Sequence, residues 1–198
     1  LIKSAEALET AHSVTTVVLD KTGTITQGKP VVTDVLPVGL GREELLAIAA
    51  SLEKRSEHPL AEAITAEAEK EQLTLLPVEE FEQIPGQGIR AAVEGKLCLA
   101  GNRRMMEANH AENSELFSRG EALAEDGKTP LYFARDGRLL GLIAVADVVK
   151  PTSAQAVAEL SGMGIEVVML TGDNERTAEA IRRQVGVDRV VAEVLPQD

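Results

Sequence analysis

The sequence has no tryptophan, one tyrosine, three phenylalanines and a single cysteine, Cys98, among 198 residues. With aromatics at 2%, the core must be built from aliphatic side chains, and stacking platforms are scarce. One cysteine excludes an internal disulfide framework and any paired-cysteine metal clip, and it fits a reducing compartment. Positive charge is the next shortage. The net charge of −12 argues against nucleic acid, whose binding needs clustered Lys and Arg, and against docking on an anionic membrane surface. Long apolar runs are missing too: the longest, near Leu139 to Ala146, is far short of a membrane span, and no secretory leader is visible. What is present is ordinary for a globular chain, with 44% hydrophobic and 26% charged residues and a length that suits roughly one to two domains. The chain opens "LIKSAEALE" without an initiator Met and stops at "VVAEVLPQD" after a strand-like run, so both ends read as cuts through a longer protein.

Two stretches share one design. Val14 to Asp20 is short and β-branched and runs into the polar loop "KTGT"; Ile165 to Leu170 runs into Thr171-Gly172-Asp173. Helical patterns at Thr152 to Gly162 and Glu175 to Gln184 flank the second, and a third short strand is expected at Arg189 to Ala192. Strand–loop–helix alternation predicts a doubly wound α/β parallel sheet with ligands at the C-terminal strand ends. The middle differs. Strands are expected at Pro30 to Leu36, Val78 to Gln83, Ile89 to Glu94, Lys96 to Ala100, Leu131 to Arg135 and Arg138 to Val145. Helices are expected at Arg42 to Arg55, Pro59 to Glu71, Arg103 to Ala108 and Asn113 to Glu125. The turns Glu94-Gly95 and Asp136-Gly137 suit tight hairpins, the latter of type I′. The simplest layout is an α/β domain (1–27 and 143–198) split by an inserted antiparallel α+β domain (28–142), with hinges near Gly28 and near Leu142 to Ala144.

Asp20 falls where a parallel sheet presents its strand ends. A carboxylate there can be a metal ligand, a general base or a nucleophile, and a lone Asp after a strand is ordinarily a solvated turn residue. The neighbours narrow the choice. Gly23 lets the backbone approach a phosphate, and Thr22 and Thr24 add donors. With Thr171-Gly172-Asp173 ending the other central strand, the two loops suit phosphoryl transfer: carboxylate attack on the γ-phosphate of a nucleotide, with magnesium offsetting the repulsion between the anions.

Asp20-Lys21-Thr22-Gly23-Thr24 resembles the phosphorylation motif of the P-type ATPases, ion pumps whose catalytic domain is of the haloacid-dehalogenase-like superfamily. Thr171-Gly172-Asp173-Asn174 and "ADVVKP" around Asp147 and Lys150 fit the same domain, and the resemblance covers essentially the whole chain. It implies the haloacid-dehalogenase-like fold, incomplete at its C-terminus, with an inserted nucleotide-binding domain. Many phosphatases of that superfamily carry an acidic residue two positions after the nucleophile. Thr22 stands there and cannot shuttle a proton at neutral pH, so an acyl phosphate is expected to persist.

"SEHPLAEAI" from Ser56 resembles the nucleotide-domain signature of the heavy-metal-transporting, CPx-type branch. The resemblance implies that Glu57 and His58 belong to the adenine pocket, with Gly86 and Gly88 of "IPGQGI", Glu53 and Asn102. Each has a plainer reading: a helix-start histidine, a simple turn, a solvated glutamate on an acidic helix, and an N-cap for the helix at Arg103. The resemblance also implies catalytic roles for Asp20, Lys21, Thr22, Thr171 and Asp173, with Asp20 and Thr22 holding magnesium and Asp147 near the second hinge. It implies ATP and Mg2+ as cofactors, and as partners the membrane helices, actuator domain and metal-binding domain of the same pump. The location would be the cytoplasmic side of an integral membrane protein. "LIKSAEALETAH" and "GNRRMM" resemble the copper(I) and silver pumps more than the zinc and cadmium ones. The alternatives are a free phosphatase of the superfamily, a zinc or cadmium pump, or a nucleotide-binding regulatory module without turnover. The family pattern continues with a Lys after "VLPxD" and a Gly-Asp-Gly-x-Asn-Asp segment, neither of which this chain contains. The expectation for these 198 residues alone is therefore ATP binding with little or no phosphorylation of Asp20.

Overall fold

The computed structural model describes residues 13–56, 59–173 and 175–194. Glu57, His58, Asn174 and the final "LPQD" lie outside the described residues. The described residues divide into two compact units: those up to Gly28 with those from Val148 on form a flanking unit, and Lys29–Asp147 an inserted unit.

In the flanking unit, β1 (Thr16–Asp20) pairs in parallel with β8 (Glu166–Leu170), and β8 with β9 (Arg189–Val191). Between these strands run helices α5 (Ser153–Gly162) and α6 (Glu175–Val185), as the alternation predicts. Ile25, Val157, Val167, Met169, Ala178 and Ile181 belong to a single aliphatic core. The register sets Asp20 opposite Leu170, so the two polar loops that follow leave the sheet side by side.

The inserted unit is a six-stranded sheet in the order β2–β7–β6–β5–β4–β3. Its strands are β2 (Thr26–Pro37), β3 (Val78–Ile84), β4 (Gly88–Val93), β5 (Lys96–Gly101), β6 (Thr129–Arg135) and β7 (Arg138–Val149). The pairs from β3 through β7 are antiparallel. Helices α1 (Arg42–Glu53) and α2 (Pro59–Lys70) share one core with Ile89, Phe133, Ile143 and Val145. Helices α3 (Arg103–Ala108) and α4 (Ser114–Glu125) share a second core with Leu99, Tyr132, Leu142 and Ala144. Alternate residues of β7 thus enter opposite cores, which is why the segment reads as a continuous apolar run. Both hairpin turns have positive φ at both central residues, 52° and 73° at Glu94 and Gly95, 49° and 75° at Asp136 and Gly137, the requirement of a type I′ turn.

Boundaries shift by a residue or two at several elements and furthest at two strands. Strand β2 begins at Thr26, not Pro30, and β7 continues to Val149, not Val145. Leu142, Ile143, Ala144 and Val145 are fully buried, so these residues lie inside the inserted unit, which extends to Asp147.

Candidate active site and nucleotide pocket

Asp20 closes β1 with its side chain exposed. A five-residue turn, Lys21–Ile25, follows, with Gly23 at φ 76°. An added Cβ at Gly23 would meet nothing within 4 Å, so the requirement for glycine there is conformational rather than steric. Thr26, fully buried, closes the turn: its hydroxyl donates to the Lys21 carbonyl at 2.9 Å and accepts from the Gly23 N–H at 3.3 Å. The chain after β7 fastens the same turn. Lys150 Nζ donates to the Gly23 carbonyl. The Lys150 N–H at 3.0 Å and the Ser153 hydroxyl at 2.7 Å both donate to the Ile25 carbonyl. Thr22 and Thr24 remain exposed.

The second loop is equally constrained. Thr171 is buried, and its hydroxyl accepts from the Asp173 N–H at 3.1 Å. The Thr171 N–H donates to Val191, the Val194 N–H to Thr171 and the Glu193 N–H to Asp173. Lys21 joins the loops: its ammonium lies 2.9 Å from the Asp173 carboxylate, with the lysine side chain only 12% exposed. Lys21 is therefore a half-buried, paired cation rather than a side chain extended into solvent. The structure thus brings Asp20, Lys21, Thr22, Thr171 and Asp173 together at the strand ends. Thr26 and Ser153 are additions to the set expected from sequence.

In the inserted unit, a cavity of about 300 Å³ is lined by Glu53, Gly86, Gly88 and Asn102 along with Gln83, Leu60 and other residues. Glu53 is 6% exposed, and burial pushes its carboxyl up to about 7 against an opposing hydrogen bond with Ser56. It is therefore no solvated glutamate. Gly88 lies opposite Gly101 where β4 meets β5, and an added Cβ would fall 2.1 Å from the Ala100 carbonyl oxygen. Asn102 combines both readings offered for it. Its Oδ1 accepts from the Met105 N–H at 3.0 Å, capping α3, while its Nδ2 donates to the Gly86 carbonyl at 2.9 Å. The asparagine thus ties the glycine turn to a helix start. Gln83, Gln87 and Leu131 line the same cavity and carry no local sequence signal that marks them.

A parallel sheet with an exposed aspartate at one strand end and a hydroxyl-acid loop at the next defines a class that comparison with known proteins identifies. The chain belongs to the haloacid dehalogenase-like hydrolase family, whose model matches residues 14–198. It is 46% identical over 198 residues to a copper-exporting P-type ATPase of Bacillus subtilis (strain 168), covering 100% of this chain and 25% of that one. A copper-transporting ATPase 1 of Rhizobium meliloti (strain 1021) is 46% identical over 197 residues, 99% of this chain and 24% of the relative. The chain therefore spans about a quarter of the length of the curated relatives it matches. Among solved structures, a zinc-transporting PIB-type ATPase in the E2.Pi state matches with a TM-score of 0.87 at 37% identity, covering 100% of this chain and 32% of that one. The catalytic domain of the CPx-ATPase CopB-B, in a structure describing its response to nucleotide binding, matches with a TM-score of 0.67 at 25% identity, covering 100% and 68%. The similarity to P-type ATPase catalytic domains and the haloacid-dehalogenase-like fold agree with the reading from sequence.

Proposed function

We propose that this chain is the ATP-binding and aspartyl-phosphate-forming part of a heavy-metal-transporting P-type ATPase, with copper(I) as the transported ion. The observation that carries the reading is the exposed Asp20 carboxylate beside a turn held at its Gly23 and Ile25 carbonyls and joined to Thr171–Asp173 by an ion pair. ATP occupies the Glu53, Gly86, Gly88 and Asn102 cavity of the inserted unit, with Glu57 and His58 completing it. An Asp20 carboxylate oxygen forms a bond to the γ-phosphorus, the bond from that phosphorus to the β–γ bridging oxygen breaks, and ADP leaves. The Thr171 hydroxyl already accepts from Asp173, which leaves its O–H to donate to a phosphate oxygen. Lys21, oriented by Asp173, adds positive charge beside the transferred group. Thr22 offers no acid–base group, so the acyl phosphate outlives its formation, as an intermediate that drives transport must.

Magnesium prefers hard oxygen donors and keeps several waters. Exposed Asp20 and the Thr22 carbonyl are donors of that kind, and the described residues hold no cluster of three or more His, Cys, Asp or Glu that would form a protein cage. The donor set fits an ion shared with nucleotide phosphates, held by Asp20 and Thr22, which would neutralise charge between carboxylate and phosphate. No helix among the described residues is long and apolar enough to cross a membrane. In this reading the transport path belongs to other segments of the pump, and this part faces the cytoplasm. Copper is favoured over zinc by the curated relatives, copper transporters by name at 46% identity, against 37% for the zinc-transporting structure. The test is ATP hydrolysis by the full pump with copper(I) and with zinc. Stimulation by copper(I) that Asp20→Asn abolishes is expected; stimulation by zinc alone would overturn the ion, and hydrolysis unaffected by Asp20→Asn would overturn the mechanism.

A further inference from the structure

Glu53 ends α1 inside the cavity of the inserted unit, where a carboxylate is an unusual choice. From each element around it the described lining groups are neutral: Ser56 after α1, Ala61 on α2, Gln83 on β3, Gln87 before β4, Asn102 before α3 and Leu131 on β6. Among the described lining residues no cation faces it. Along the chain Lys54 and Arg55 follow Glu53 directly and are not among the cavity lining, and Glu57 and His58, which come next, lie outside the described residues. An ionised carboxylate is an acceptor only, whereas the neutral acid has one donor and one acceptor. Adenine presents an amino donor beside a ring-nitrogen acceptor, and a carboxylate would set lone pair against lone pair at that nitrogen.

We propose that Glu53 engages nucleotide as the neutral carboxylic acid, its O–H donating to a ring nitrogen of adenine and its carbonyl oxygen accepting from the amino group. This rests on the nucleotide reading of the cavity and adds that the base is read by a proton. Burial supports it, since it holds the carboxyl at about 7 and keeps a large share of molecules protonated near neutrality. The sign is fixed: above that value the free protein must take up a proton to bind, so ATP affinity falls by roughly tenfold per pH unit as long as the ionised form binds negligibly.

The experiment is calorimetric titration of the 198-residue chain with Mg-ATP at about pH 6 and about pH 8.5, for wild type and Glu53→Gln. Glutamine keeps a donor and an acceptor but does not titrate. Both proteins share every other ionisable group and the ATP phosphates, so the difference in pH slope is the readout. Wild type is expected to lose more than about tenfold in affinity across that range while Glu53→Gln loses at least about fivefold less. Parallel slopes overturn the inference and leave the pocket standing; absence of binding by wild type at both pH values overturns the nucleotide reading itself. Should Glu53→Gln fail to fold, wild type alone decides: titration in buffers of different ionisation enthalpy at about pH 8 must show net proton uptake, and none would overturn the proposal.

Discussion

Glu53 ends a helix in the inserted unit and is 6% exposed, whereas Asp20 ends a strand in the flanking unit with its side chain in solvent. The surroundings differ in kind. Glu53 sits among the apolar and neutral polar groups that line its cavity. Asp20 is followed by a turn whose carbonyls are held by Thr26, Lys150 and Ser153, residues that contribute hydrogen bonds rather than packing. Under the proposed function, recognition is built on burial, and reactivity on an exposed group next to a backbone turn held by hydrogen bonds.

That comparison can be broken most severely at Phe133, fully buried between β6 and the α1–α2 layer. Phe133→Ala is expected to cost about 3–5 kcal/mol, read by denaturant unfolding, and to abolish ATP binding while amide exchange in β8 stays slow. Equal loosening of β8 would show that the two units do not keep separate stabilities. The next effect is the pH dependence of stability. The Glu53 carboxyl is raised from 4.5 in the unfolded chain to about 7 in the fold, so it prefers the proton when folded. Its contribution is complete below 4.5 and is lost as pH rises to about 7, on the order of 3 kcal/mol in all. Unfolding measured across that window is expected to show this loss in wild type and not in Glu53→Gln.

The glycine pair gives a smaller, graded contrast. At Gly88 (φ 151°) an added methyl would collide with the Ala100 carbonyl, while at Gly86 (φ 69°) it meets open space and only the backbone conformation objects. Gly88→Ala is expected to cost about 2–3 kcal/mol and Gly86→Ala about 1 kcal/mol, measured by unfolding. Smallest is Ser153→Ala. The Ile25 carbonyl keeps its bond from Lys150, so removal of the serine hydroxyl is expected to cost about 1 kcal/mol, read as faster exchange at Val167–Met169 with the inserted unit unchanged.

Where sequence alone succeeded, the signal was local. The Asp136-Gly137 and Glu94-Gly95 turns, the β1 and β8 strand–loop junctions and the helix at Arg103 each depend on a few adjacent residues. Where it fell short, the cause was distant. The bonds from Lys150 and Ser153 to the turn after Asp20 span more than a hundred residues, and Thr26 reads locally as one more polar residue after a loop. Glu53 looked like part of an acidic helix face because nothing near it announces that α2, β4 and β5 close over it. Strand β7 was cut short because its alternation is hidden when both faces are buried.

The most direct measurement is acid-quenched labelling of the full pump with ATP carrying a labelled γ-phosphate, followed by peptide mapping. Label is expected on the peptide containing Asp20, released by hydroxylamine and absent from Asp20→Asn. Label on any other residue, or undiminished label in Asp20→Asn, would contradict it.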